Sequence, residues 1–268
     1  MAVFPFLWTL WGSFKVQGDF FSKADWTYAV YGIRTFAETG GSFTGNGYSS
    51  AWINHEFWRS SINTSIVVFF VVLISLTIGT LGGYALARSG YRYAFWLLML
   101  ALVFRAMPHI TLVSGYLLPF FQWNLWGHLS TTIIVLVAIN QPFTLWMLHS
   151  FFLNIPKELD EAALIDGANH FQMLFKVFIP VAMPGLIAAT IFAFTVSWAG
   201  FLYPLAFIYS ESEMVLTVGT VTTLIKGDVF HWGGLMAGAL LAAAPPVIIY
   251  AFLMDYYIAG LTSGATKG

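Results

Sequence analysis

The chain has 268 residues, 59% of them hydrophobic and 9% charged, with a net charge of −1 at pH 7. Its mean hydropathy of +0.77 lies beyond the range of a water-soluble domain, and so few charges cannot coat a water-facing surface of this size. The composition describes an integral membrane protein; it excludes a nucleic-acid binder, which needs a basic patch, and the absence of cysteine excludes disulfides and thiolate metal sites.

In chain order, residues 1–14 are apolar but make up only about two-thirds of a membrane span at the helical rise. They lack the charged start and cleavage site of a signal peptide. The expectation is a partial first helix whose start lies upstream. Residues 15–61 are polar; "FAETGGSFTGNGYSS" reads as loop, and "WTYAVYGI" and "AWINHEFW" carry aromatics suited to the membrane interface. Residues 1–61 are therefore read as the partial helix plus an extracytoplasmic segment.

Five continuous apolar stretches follow, roughly 62–87, 93–111, 129–152, 181–209 and 233–257. Crossing about 30 Å of hydrocarbon takes about 20 helical residues, so each is expected to span as a helix. Barrel strands are disfavoured because none of these runs alternates. The transmembrane core is placed at 62–258, with a loop region at 154–180 inside it and a tail at 259–268. A second polar segment, "SESEMVLTVGTVTTLIKGDVFH", separates the last two spans. Lys and Arg divide evenly between the two sides of this topology, so the charge bias does not fix the orientation.

The densest acid cluster lies in "ELDEAALIDGANHFQMLFKVFIPVAMPG", residues 158–185. Pro156 and the acids Glu158, Asp160 and Glu161 suit a helix start, where the dipole favours negative charge. Gly167 ends that helix and lets the chain reverse, and Asn169 caps a second one. In the second helix Phe171, Leu174, Phe175 and Phe178 recur at helical spacing, predicting one apolar face packed on the bundle. Ala162 and Ala163 give the first helix a small face open to close approach. The shape is that of a docking element lying across the membrane surface.

These residues resemble the signature of the membrane subunits of ATP-binding-cassette importers: Glu-Ala-Ala, three residues, Gly, nine residues, then Ile-x-Leu-Pro. Glu161, Ala162, Ala163, Gly167 and Pro180 match, and Val177 and Ile179 stand where the family has Ile and Leu. "SSINTSIVV" (60–68), "GGYALAR" (82–88), "IPKELDEAA" (155–163) and the closing "GLTSGATKG" (260–268) are similar to the carbohydrate-type branch. Ala199 and Gly200 in "SWAGFLYPL" depart from it, since relatives commonly carry Asn and an acid there.

The resemblance implies an all-α, type I importer transmembrane domain of about six helices, the first apparently truncated, in a bacterial inner membrane. It implies a cytoplasmic coupling loop whose Glu161, Ala162, Ala163, Asp166, Gly167 and Pro180 engage an ATPase. The implied partners are a homologous permease subunit, two ATPase subunits and an extracytoplasmic solute-binding protein, together with membrane lipid. The cargo implied is a sugar, oligosaccharide or polyol. No cofactor is expected on this chain: no G-x-x-x-x-G-K-[ST] occurs, so ATP and Mg belong to the ATPases. The alternatives are a permease for a non-sugar solute, and an ATPase-independent intramembrane enzyme or signalling protein.

Polar groups at membrane depth are candidate pathway residues. Arg105 and His109 flank Pro108, with Thr111 just beyond; a helix broken at Pro108 would line a path, whereas an unbroken one lets Arg105 snorkel to the interface. Asn140 and Gln141 precede Pro142, and either face a cavity or bond neighbouring helices. Trp198 and Tyr203 could stack on sugar faces or simply fill a helix interface. Gly79 and Gly83, like Gly234 and Gly238, have the small-xxx-small spacing of close helix packing. No His, Asp or Glu cluster has metal-ligand spacing.

Overall fold

The computed structural model describes residues 3–15, 20, 45–54, 56–90, 93–226 and 229–262. The sequence readings across 16–44 and beyond 262 lie outside these residues. The described chain is built of helices: α1 (Phe4–Ser13), α2 (Asn46–Ser49), α3 (Phe57–Arg88), α4 (Tyr93–Ala106), α5 (His109–Gln122), α6 (Leu129–Leu153) and α7 (Glu158–Ile165). These are followed by α8 (His170–Val181), α9 (Met183–Trp198), α10 (Leu202–Phe207), α11 (Leu216–Leu224) and α12 (Trp232–Thr262). A two-residue antiparallel pair, Ile225–Lys226 with Val229–Phe230, is the one sheet among the described residues.

Two of the five expected spans are not continuous. The stretch 93–111 ends as a helix at Ala106; Pro108 lacks an amide donor and disfavours helical geometry at Met107, so α5 restarts at His109 bent by 96°. The stretch 181–209 divides into α9 and α10, with Ala199 and Gly200 in the break. By length and composition three helices can cross a membrane unaided, and up to five if each of two bent pairs, α4 with α5 and α8 with α9 (bent by 79°), is one span. The segment 210–231, read from sequence as polar, contains α11, whose Leu216 and Val218 are buried together with the preceding Val215.

The described residues fall into two compact units, one within Ser65–Ile208 and Ile248–Gly268 and the other within Met1–Thr64 and Tyr209–Val247. In the first, α6 is the centre, packed against α4, α9 and α10. Val135, Ile139, Leu148 and Phe152 put the apolar part of its buried stripe into this core, and Thr132 and Thr144 the polar part. Gly79 and Gly83 on α3 make the close approach that their spacing suggested. A Cβ added at Gly83 would stand 2.9 Å from the His149 backbone nitrogen, and one at Gly79 would stand 2.8 Å from Thr144 Cγ2.

In the second unit, buried polar side chains hold the chain together. Asn63 Nδ2 donates to the carbonyls of Ser212 (2.9 Å) and Met214 (3.0 Å), and Thr64 Oγ1 accepts the Leu216 amide at 2.8 Å. The Ser13 and Tyr48 hydroxyls lie 2.8 Å apart. Gly47 and Gly233 pass so closely that a Cβ at Gly47 would meet the Gly233 carbonyl oxygen at 2.9 Å. That contact has the steric character foreseen for Gly234 and Gly238, at a neighbouring glycine.

Candidate functional site

The acid-rich segment folds into an elbow of two helices. Glu158, Asp160 and Glu161 occupy the first turn of α7, where unpaired amides and the helix dipole favour them. At its far end the Gly167 amide donates to the Leu164 carbonyl (3.0 Å) and the Ala168 amide to the Ala163 carbonyl (2.9 Å). This is the paired bonding of a Schellman termination, and it requires the left-handed backbone that Gly167 adopts at φ +76°. No heavy atom lies within 4 Å of a Cβ built there, so backbone handedness and not space selects glycine. Asn169 Oδ1 then accepts the Gln172 amide, and Gln172 Oε1 accepts the Asn169 amide, each at 2.9 Å, closing a capping box on α8.

The apolar face predicted for α8 is split in two. Leu174 and Phe178 are buried with Met173, but Phe171 and Phe175 are 68% and 60% exposed. The cause is a π turn over Leu174–Phe178. Pro180 follows it, and a proline ring collides with the carbonyl four residues earlier unless the turn widens. The wider turn rotates Phe178 away from Phe171 and Phe175 and onto the side of Met173 and Leu174. Ala163 is likewise buried, at 9% exposure, so the elbow's small face points inward there while Ala162 stays outside.

The base of the elbow is an aromatic cluster. Tyr84, Phe152 and Phe178 meet edge to face, with centroids 4.9 to 6.2 Å apart. Arg88 closes it, with Nε 3.1 Å from Asp160 Oδ2 and Nη2 donating to the Ile155 carbonyl at 2.8 Å. Sequence reading missed this residue; the available signal was a lone cation at the end of a long apolar helix. The outward surface combines exposed Leu164, Ile165 (86%), Phe171 and Phe175 with exposed Glu161 and Asp166. Gly167 and Pro180 are also exposed.

The other candidates divide. Arg105, His109, Tyr116 and Gln141 line a cavity of about 320 Å³ together with Ala138 and Pro142. Pro142 cannot donate to the Ala138 carbonyl, which leaves a backbone acceptor beside this space. His109 Nδ1 lies 2.7 Å from the Tyr203 hydroxyl, which fixes the imidazole at the start of α5. Asn140 turns away: its Nδ2 donates to the Leu136 carbonyl (2.9 Å) and to Ser197 Oγ (3.1 Å), joining α6 to α9. Trp198 is buried and stacks on Phe194 at 5.4 Å, Tyr203 is buried at 6% exposure, and Thr111 is exposed. Among the described residues no group of three or more His, Asp or Glu could hold a metal.

A bundle of long and broken apolar helices with this elbow between α6 and α9 is that of an ABC importer permease, a multi-pass inner-membrane transport component. Residues 79–263 match the binding-protein-dependent transport system inner membrane component family, and the chain belongs to it. It is 33% identical over 219 residues to the inner membrane ABC transporter permease protein YcjP of Escherichia coli (strain K12), covering 80% of this chain and 75% of that one. It is 30% identical over 271 residues to the arabinooligosaccharides transport system permease protein AraQ of Halalkalibacterium halodurans, covering 100% and 92%. Its fold is similar to a chain of a bacterial ABC transporter involved in import of the acidic polysaccharide alginate, with a TM-score of 0.78 at 20% identity, covering 96% and 91%.

Proposed function

We propose that this chain is the permease subunit of an importer for a sugar, oligosaccharide or polyol, and that it couples ATP hydrolysis in two separate ATPase subunits to alternating access. It pairs with a homologous membrane subunit and receives cargo from an extracytoplasmic binding protein. The observation that carries the reading is the outer face of the elbow. Leu164, Ile165, Phe171 and Phe175 stand exposed on a segment that is rigidly capped at both Gly167 and Asn169. A solvated loop has no reason to hold four large apolar side chains in water, whereas a protein-docking surface does. Glu161 adds a charge-assisted contact to a basic group on the ATPase, and exposed Ala162 lets the two backbones approach.

The carbohydrate class is supported by the arabinooligosaccharide permease, similar over 100% of this chain, and by the closing "GLTSGATKG". Arg105, His109 and Gln141 supply part of the translocation path, since a largely apolar cavity with the rings of Phe104 and Tyr116 and a few planar hydrogen-bonding groups suits a sugar. ATPase closure moves the elbow and swings the attached helices between inward-open and outward-open states.

The test is Gly167→Pro in the reconstituted complex. Proline holds φ near −65° and cannot adopt the +76° of this position. The variant inserts in the membrane, but ATP-dependent uptake falls at least about tenfold as the elbow loses its shape. Unchanged uptake together with normal ATPase co-purification is the result that refutes the proposal.

A further inference from the structure

The elbow carries several acids, and they do not share one environment. Glu158, Glu161 and Asp166 are exposed, but the Asp160 side chain is drawn inward to 19% exposure against Arg88, itself at 12%. Arg88 is the last residue of α3, far from the elbow in the chain, yet it touches three parts of the elbow region at once. Nε faces the Asp160 carboxylate at 3.1 Å, Nη2 donates 2.8 Å to the Ile155 carbonyl, and the guanidinium carbon lies 4.7 Å from the centroid of the Phe178 ring. Those partners belong to the first turn of α7, the strand of chain leaving α6, and the π turn of α8. Only a planar guanidinium has an edge for a carboxylate, a further N–H for a carbonyl and a face for a ring; an ammonium serves one of these at a time.

We propose that Arg88 is a positioning residue that latches the elbow to α3, so that displacement of the elbow is delivered to this helix as well as to its chain neighbours α6 and α9. The inference rests on the coupling reading above and deepens it. The elbow is covalently continuous with α6 and α9 and needs no special device to pull on them. It has no such continuity with α3, and Arg88 and Asp160 supply the polar link. α3 is a single helix of 32 residues, about 48 Å long, so a force applied at Arg88 acts on one long lever. An inward-turned cation is also an unexpected choice for mere stability, because apolar residues of similar volume hold such a junction as well or better. What the ion pair adds is a fixed geometry between two moving parts.

The experiment uses the assembled complex in vesicles, comparing wild type with Arg88→Met, Arg88→Lys and Asp160→Asn, and reads solute imported per ATP hydrolysed. In Arg88→Met the ATPase subunits still co-purify, while the import-to-hydrolysis ratio falls about tenfold, in line with the loss of one coupling contact. Arg88→Lys recovers part of the ratio, and Asp160→Asn loses less than Arg88→Met because the Ile155 and Phe178 contacts remain. Because the chain contains no cysteine, Arg88→Cys combined with Asp160→Cys can be bridged by a reducible bis-thiol linker, with cysteine-free partner subunits. Bridging restores the ratio and reduction abolishes it in the same molecules, which keeps the test intact if Arg88→Met fails to accumulate. A wild-type ratio in Arg88→Met, loss of ATPase binding in proportion to transport, or indifference to the bridge each overturns the latch. A wild-type complex that shows no ATP-driven import overturns the coupling reading itself.

Discussion

Gly167 and Gly83 are both glycine for reasons that a composition count hides, and the reasons differ. At Gly167 the surroundings are empty and the backbone is left-handed, so any L-residue with a Cβ meets a conformational penalty of about 1–2 kcal/mol and no collision. At Gly83 the backbone is helical, and the obstacle is the His149 amide, which cannot swing aside as a side-chain tip could. Gly83→Val should therefore force α3 and α6 apart, lowering thermal stability by about 1–3 kcal/mol, the usual cost of overpacking. A melting curve of the purified complex checks this, and an unchanged midpoint would show that the two helices are not in register as described. Asn140 shows the same scale from the polar side: its amide ties α6 to α9 and is unavailable to a passing solute, whereas its neighbour Gln141 both lines the cavity and donates from Nε2 to the Ser75 carbonyl of α3 at 3.5 Å.

Among the elements, the elbow was the most legible in sequence. The acid-rich first turn, the terminating Gly167 and the capping Asn169 are local signals, and each appears in the structure at its expected place. What sequence reading lost is the direction of α8's aromatic side chains. A 3.6-residue period puts Phe171, Leu174, Phe175 and Phe178 on one face, and the π turn ahead of Pro180 breaks that period within five residues. The consequence favours docking, because it leaves Phe175 free. Phe175→Glu should fold normally, since the ring is 60% exposed, yet weaken ATPase retention at least about tenfold if Phe175 sits at the centre of the interface. Co-purification at increasing salt measures this; full retention would remove Phe175 from the docking surface. The break at Met107–Pro108 was one of two readings that Pro108 left open, whereas that at Ala199–Phe201 was less legible, since hydropathy integrates over a whole span and is insensitive to one turn. The Arg88–Asp160 pair was invisible for another reason: the two residues lie far apart in sequence, and only folding brings them together.

For the whole molecule, composition alone established a membrane protein, and against the five expected spans stand three long helices and two bent pairs, the second of which joins α8 to α9 instead of covering 181–209. The three long helices are not equally embedded in their own protein. Within their most apolar windows, 39% of Phe57–Arg88 and 44% of Leu129–Leu153 are buried, but only 11% of Trp232–Met254. Pro245 and Pro246 further remove two backbone donors from that helix. In the isolated chain most of this helix is therefore left to whatever apolar medium surrounds it, and that medium is a reagent under the experimenter's control. Exchanging bilayer for a short-chain detergent should loosen Trp232–Met254 first, with its amides gaining deuterium sooner than those of Leu129–Leu153. The choice of solubilising agent thereby becomes a variable of this protein's mechanics, and thickness of the host membrane a dial on its last helix.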